Sequence, residues 1–166
     1  GPLRSDGVLS AGIVAAPDLR IDEALDRMVG CVRHRGPDGE GVWLGRCGER
    51  QVGLGQTRLA ILDLSEAGRQ PMWSHDGNHG LIYNGEVYNY LELRAELAAR
   101  GRVFRSGCDT EVVLEALITW GPAAFERFNG MWALALLDRR EATLLLARDR
   151  MGVKPLYLHR DHAGTL

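Results

Sequence analysis

The chain reads as an α+β protein built on antiparallel sheets. Three observations carry this: apolar strand-like runs joined mostly by short turns, helical periodicity confined to two places, and turn signals at nearly every junction. No repeat, low-complexity stretch or block of charge divides the 166 residues. With 45% hydrophobic and 25% charged residues, the composition suits one domain with a real core. The 21 glycines are in keeping with many turns.

In chain order, Ser10 to Ala15 reads as a short buried strand. Ile21, Ala24, Leu25, Met28, Val29 and Val32 then recur at helical spacing, with Asp22 and Glu23 favouring the helix N-terminus. That helix should stop near Arg33, before the turn signal Gly36-Pro37-Asp38-Gly39. Val42 to Leu44 and Gln51 to Gln56 form a hairpin around Cys47-Gly48-Glu49, and Arg58 to Leu62 continues in extended form. A polar loop from Asp63 to Asn78 leads to an apolar strand, Gly80 to Tyr83. Asn89-x-x-Glu92 has the form of a capping box opening a helix that Gly101 closes. Asp109 caps a further helix carrying Val112, Val113, Leu117 and Ile118, ended by Gly121. Met131 to Leu137 and Thr143 to Arg148 are strands joined at Arg139-Arg140-Glu141. A last strand, Pro155 to His159, turns at Asp161-His162-Ala163-Gly164. The stop just after that turn suggests a domain cut from something longer.

Composition excludes several classes of function. The net charge of −2, from 20 basic and 22 acidic residues, gives no electrostatic case for nucleic acid or an anionic membrane. Lys154 is the single lysine among the basic residues, a bias with little functional content. No apolar run approaches the ~20 residues of a membrane span. Cys31, Cys47 and Cys108 are an odd number without metal-ligand spacing, so neither a zinc nor a disulfide scaffold is expected, and a reducing cytoplasm is the default compartment. Gly1 to Ser5 reads as the remnant of a cleaved tag, which leaves residues 6–166 as the domain.

Taken singly, the candidate motifs have plain structural readings. Asn84-Gly85 is a hairpin-turn signal, Arg58 before an apolar strand is an ordinary surface arginine, and Asp109 has work enough as a helix cap. His34-Arg35-Gly36-Pro37-Asp38 is equally a helix end followed by a turn. Ser106-Gly107-Cys108-Asp109-Thr110 loosely resembles a pyrophosphate-binding loop but lacks its second glycine, so no ATP site is expected there.

The ordered combination is far more specific. Arg35-Gly36-Pro37-Asp38, Arg58-Leu59-Ala60-Ile61-Leu62-Asp63, Tyr83-Asn84-Gly85-Glu86-Val87-Tyr88-Asn89, Ser106-Gly107-Cys108-Asp109-Thr110-Glu111 and Arg148-Asp149-Arg150-Met151-Gly152-Val153-Lys154-Pro155-Leu156-Tyr157 follow one another. From about Val8 onward the chain resembles the class II glutamine amidotransferase domain of glutamine-hydrolysing asparagine synthetases. The resemblance implies an N-terminal-nucleophile hydrolase fold, with two stacked antiparallel sheets between helical layers. It implies glutamine as substrate and a C-terminal synthetase domain as partner, with ATP and Mg used in that second domain and no cofactor or metal in this one. It is also compatible with a homodimer.

By the same resemblance, Arg58 binds the α-carboxylate of glutamine, where a planar guanidinium forms two parallel charged hydrogen bonds. Asp109 and Glu86 hold the ammonium end, the backbone at Leu59 and Ile61 lines the pocket, and Asn84 and Gly85 form the oxyanion hole. Gly85 also allows close approach to the main chain. The family's nucleophile is an N-terminal cysteine in a Cys-Gly-Ile or Cys-Gly-Val pattern, with its own α-amine as base. Here the nearest position is Asp6, in Asp6-Gly7-Val8, and shifting the register to Ala11-Gly12-Ile13 puts Gly7 or Val8 there instead. No register supplies a cysteine. The expectation is a glutaminase frame without its nucleophile, the alternatives being a natural pseudo-glutaminase of a β-lactam-synthetase-like enzyme or a non-catalytic glutamine-binding module.

Overall fold

Two antiparallel sheets stack face to face, one helix covering the outer side of the first and two helices covering the second. The computed structural model describes residues 9–17, 20–36, 39–58, 68–162 and 165–166. Asp6, Leu59 and Ile61 lie outside them, as do the predicted extension from 59 to 62 and the Arg58 side chain.

The first sheet has strands β1 (Leu9–Ala15), β2 (Gly39–Cys47) and β3 (Arg50–Arg58) in the order β1-β3-β2. The predicted hairpin is present, with Gly48 at φ +59° in a two-residue turn between Cys47 and Arg50. Alternation along β3 divides its residues between two layers. Val52 and Leu54 join the core between the sheets, while Gly53 and Gly55 face helix α1 (Asp22–Val32). A Cβ at Gly55 would lie 2.4 Å from Val29 Cγ2, so the helix seats Leu25 and Val29 directly on backbone. The chain leaves α1 through a 3₁₀ turn, Arg33–Arg35.

The second sheet runs β4-β5-β6-β7, from β4 (Met72–Trp73) and β5 (His79–Val87) to β6 (Gly130–Asp138) and β7 (Thr143–Arg148). Ile82, Ala135 and Leu137 face the first sheet, with Leu144 and Leu146 beside them. Leu81, Tyr83, Trp132, Leu134 and Leu136 face α2 (Tyr90–Ala99) and α3 (Asp109–Trp120). The β6–β7 turn is held by Asp138, whose Oδ1 accepts the N–H groups of Arg140 and Glu141.

Local chemistry departs from expectation at several points. The loop before β5 contains the two-residue strand β4, too short to leave a periodic signal. Asn89 is the N-cap of α2 but makes no capping bond. Its amide accepts from Asn129 N–H and donates to the Arg127 carbonyl instead, so the capping box gives way to a long-range tie. At the other end Gly101 behaves as predicted. It has φ +86°, and the Gly101 and Arg102 N–H groups bond to Ala98 and Leu97, a Schellman closure. Residues 155–160 make no strand. Pro155 lacks an N–H, and Tyr157 and Leu158 stay exposed, so alternation there met no partner edge. The turn beyond survives as an Asp161–Thr165 hydrogen-bonded loop, and Leu166 pairs with Val14 on the outer edge of β1.

Asp149 anchors the segment after β7. Its carboxylate accepts N–H bonds from Trp132 (3.2 Å), Val153 (2.9 Å) and Lys154 (2.9 Å). Burial pushes this carboxyl up, but the backbone donors outweigh it and hold the group below the usual carboxylate range. A depressed carboxylate contributes stability that is present above its unfolded pKa and is lost as pH falls through the folded one. Asp149→Ala is expected to destabilise by about 3 kcal/mol, since three buried N–H groups lose their acceptor. Urea unfolding at pH 7 measures it, and the deficit should shrink toward pH 3.

Candidate active site

Of the predicted site residues, Asn84, Gly85, Glu86 and Asp109 gather where β5 leaves the shelter of β4. Asn84-Gly85 is not a turn: the pair lies inside β5, opposite Ala133 and Trp132 of β6. Asn-Gly favours a tight hairpin only when flanking runs can pair with each other, and here both flanks pair with β6. Gly85 is required by that pairing, because a Cβ there would lie 2.3 Å from the Met131 carbonyl oxygen and 2.6 Å from Trp132 Cα. Close approach at this glycine is therefore to the neighbouring strand.

Which way the Gly85 N–H points follows from ladder alternation. Trp132 directs its N–H and carbonyl to the β7 side, toward Asp149, so Gly85 and Trp132 form a non-hydrogen-bonded pair. Gly85 thus turns its N–H to the opposite edge, the one β4 covers only at Gly80 and Leu81. Along that edge Tyr83 is taken by Gln70, which accepts the Tyr83 N–H at 2.6 Å and donates to its carbonyl at 3.2 Å. Gln56 of β3 donates to the same carbonyl at 3.4 Å. Val87 is taken by Asp109, whose Oδ2 accepts its N–H at 3.0 Å and the Tyr83 hydroxyl at 2.9 Å. Between these two filled positions, no described residue takes up the Gly85 N–H.

Asn84 projects from the other side of this edge, into the layer between the sheets. The residue is 8% exposed, and its Oδ1 is buried without a hydrogen-bond partner among the described residues. Glu86, opposite Met131, is half-buried on the same sheet face. Asp109 is the first residue of α3 rather than its cap; Cys108 occupies the N-cap position, and its Sγ meets Ser106 Oγ at 3.0 Å instead of capping the helix. The carboxylate is thereby freed from capping and reaches across to β5. Burial pushes its pKa up, against the lowering by the Val87 and Tyr83 hydrogen bonds. Tyr83 is also pushed well up, by burial and by the Asp109 carboxylate. Arg58 closes β3 opposite Gly39, two residues beyond Gln56.

A raised carboxyl pKa costs stability as pH climbs from the unfolded value near ~4 through the folded one. Asp109→Asn removes that cost while keeping an oxygen for Val87 and Tyr83. The variant should match or exceed the parent stability at pH 7.5 and show a flatter profile between pH 4.5 and 7.5, read by urea unfolding. A variant less stable at both pH values would show that the charge itself holds α3 to β5.

Gln70 and Gln56 were not legible as site residues. Each acts on β5 through a contact between distant parts of the chain; Gln70 lies in a loop outside any motif, and the strand signal over Gln51 to Gln56 does not point to the role of Gln56. The segment Ser106 to Asp109 is likewise explained: Glu111 accepts the N–H groups of Arg105 and Ser106 and the Ser106 hydroxyl, filling that loop with a carboxylate of the protein itself. A cleft of about 440 Å³ lies on the far side of Gln70, lined by Trp43, Trp73 and Arg105 among others, and includes neither Asn84 nor Asp109. Among the described residues no group of three His, Cys, Asp or Glu side chains could hold a metal ion, and no helix is long and apolar enough to cross a membrane.

This layered arrangement is an α+β fold of the N-terminal-nucleophile hydrolase type. The glutamine phosphoribosylpyrophosphate amidotransferase of B. subtilis superposes with a TM-score of 0.63 at 17% identity, over 85% of this chain and 37% of that one. Residues 10–166 match the glutamine amidotransferase domain family, and the chain belongs to that family, in its class II form. It is 42% identical over 146 residues to asparagine synthetase (glutamine-hydrolysing) 3 of Bacillus subtilis, covering 87% of this chain and 23% of that protein. It is 39% identical over 135 residues to asparagine synthetase B (glutamine-hydrolysing) of Escherichia coli, covering 81% and 23%. The chain thus spans about a quarter of the length of these relatives.

Proposed function

We propose that the chain is the glutamine-binding domain of an asparagine-synthetase-like amidotransferase, holding free glutamine with its side-chain carboxamide against Asn84 and Gly85. The observation that carries this reading is the β5 edge, filled at Tyr83 and Val87 and left open at the Gly85 N–H by the described residues, beside an Asn84 Oδ1 that has no partner among them. Arg58 takes the α-carboxylate, and Asp109 with Glu86 the ammonium. In the hydrolytic reaction a thiolate adds to the carboxamide carbon, and the resulting oxyanion is met by the Gly85 N–H and the Asn84 amide. Ammonia leaves, and water converts the thioester to glutamate. An ATP- and Mg-dependent synthetase region of the parent protein would consume the ammonia.

A second reading, binding without hydrolysis, is favoured by where the three cysteines stand. Cys31 is exposed on α1, Cys47 ends β2 at the Gly48 turn remote from Arg58, and Cys108 belongs to the helix-side core. Cys47 shares the inter-sheet layer with the Asn84 face of β5, but its Sγ bonds the Asp138 carbonyl at the far end, where His79 begins β5, so none of the three stands beside Asn84. The chain is therefore expected to bind glutamine but to release ammonia no faster than the buffer blank. Calorimetry with glutamine and an ammonia-coupled assay test both halves. Turnover well above blank would sink the binding-only reading, and absence of glutamine binding would sink the site assignment.

A further inference from the structure

Tyr83 is held at both ends. Its main chain is fixed by Gln70, which accepts the N–H and donates to the carbonyl, and by Gln56, which donates to the same carbonyl. Its side chain is 2% exposed, lies on the side of the sheet that α2 and α3 cover, and ends on Asp109 Oδ2 at 2.9 Å. Asn84 is the next residue. One strand position therefore fixes the main chain beside the proposed carboxamide site and reaches the carboxylate proposed for the ammonium.

The direction of each hydrogen bond in this cluster follows from its chemistry. The Val87 N–H can only donate, so Oδ2, which receives it at 3.0 Å, is an acceptor, and any proton on this carboxyl sits on Oδ1. The Tyr83 hydroxyl accordingly donates to the same oxygen. Burial and the Asp109 charge push the phenol pKa well up, so the hydroxyl keeps its proton at neutral pH. Burial also favours the neutral acid at Asp109, and the Val87 and Tyr83 donors, with the backbone at Thr110 and Asp109 itself, oppose it. Of the other titratable groups, Glu86 and Tyr88 bear on the phenol, while Glu111 of α3 is turned to the Arg105 and Ser106 N–H groups.

We propose that Tyr83 is a positioning residue for the ammonium of the ligand: its hydroxyl, with the Val87 N–H, fixes the Asp109 carboxylate through Oδ2 and leaves Oδ1 to meet the cation. The inference rests on the glutamine reading for its ligand. A carboxylate free to turn would have to be ordered at the moment of binding, and that ordering costs affinity. With the phenol in place the cost is met when the chain folds.

Calorimetry of the chain and of Tyr83→Phe tests this with two ligands, glutamine and its desamino analogue, which keeps the carboxylate and the carboxamide. Carbon NMR titration of the Asp109 carboxyl is run on both proteins. Phe keeps the ring packed against the helices and removes only the hydroxyl. Tyr83→Phe should weaken glutamine by about tenfold and leave the desamino analogue within about twofold. The Asp109 titration midpoint should rise, because a donor to the charged form has gone. Equal losses for the two ligands, as a merely structural role would give, would overturn the role given to Tyr83. An Asp109 midpoint that the substitution does not move would overturn it too. A parent chain that binds no glutamine while the midpoint still shifts would reject the glutamine reading itself, and the ammonium role with it.

Discussion

Asn84→Ala should lower the glutaminase rate by about 100- to 1000-fold in a chain given a thiol at its N-terminus, the usual effect of losing one oxyanion donor. The background for this experiment lacks residues 1–5 and begins Met-Cys in place of Asp6, or begins Met-Cys in place of Val8 to match the alternative register. Removal of Met leaves a cysteine whose own α-amine, with a pKa near ~8, is the base. Asn84 is 8% exposed and makes no hydrogen bond within the described protein, so the substitution takes nothing from the resting fold but a buried orphan. The rate should therefore fall without a matching fall in melting temperature. The measurement is initial ammonia release at saturating glutamine, with circular dichroism confirming that both proteins are folded. A folded, processed variant in each register that neither turns over nor takes label from a glutamine-like electrophile would mean that the pocket is degenerate as well. That outcome would favour the pseudo-enzyme.

Arg58→Ala should weaken glutamine binding by at least about 100-fold, and Arg58→Lys should recover only a small part of the loss. A guanidinium presents two parallel N–H donors to a carboxylate; an ammonium offers the charge without the fork. Truncating one partner of a desolvated charge pair typically costs ~2–5 kcal/mol, which spans this range. Arg58 ends β3 opposite Gly39, two positions beyond Gln56, so the strand that delivers it is tied to β5 through the Gln56–Tyr83 bond. Calorimetry of wild type, Arg58→Ala and Arg58→Lys decides the matter. Equal affinity in wild type and Arg58→Ala would remove the carboxylate site from Arg58. A Lys variant as tight as wild type would keep the site and remove the argument from geometry.

The sequence by itself determined the elements whose signals are local. Helix α1 was legible because Leu25 and Val29 repeat at helical spacing behind Asp22 and Glu23. The β2–β3 hairpin was legible because Gly48 is free to take positive φ, and the end of α2 because Gly101 is. The ordered blocks around Arg58, Asn84 and Asp109 also marked the family, since each keeps its residue types at fixed spacing. Tertiary structure decided everything that depends on a partner strand. Asn84-Gly85 reads as a turn until β6 pairs through it, and Asp109 reads as a cap until β5 supplies Val87 and Tyr83. Pro155 to His159 alternates like a strand but finds no edge to join among the described residues. Gln70 and Gln56 carry no sequence signal of a role at the site. Their roles come from hydrogen-bonding needs created when the two sheets meet: an open edge at Tyr83 that Gln70 and Gln56 fill. Such needs arise between residues far apart in the chain, and only packing brings them together.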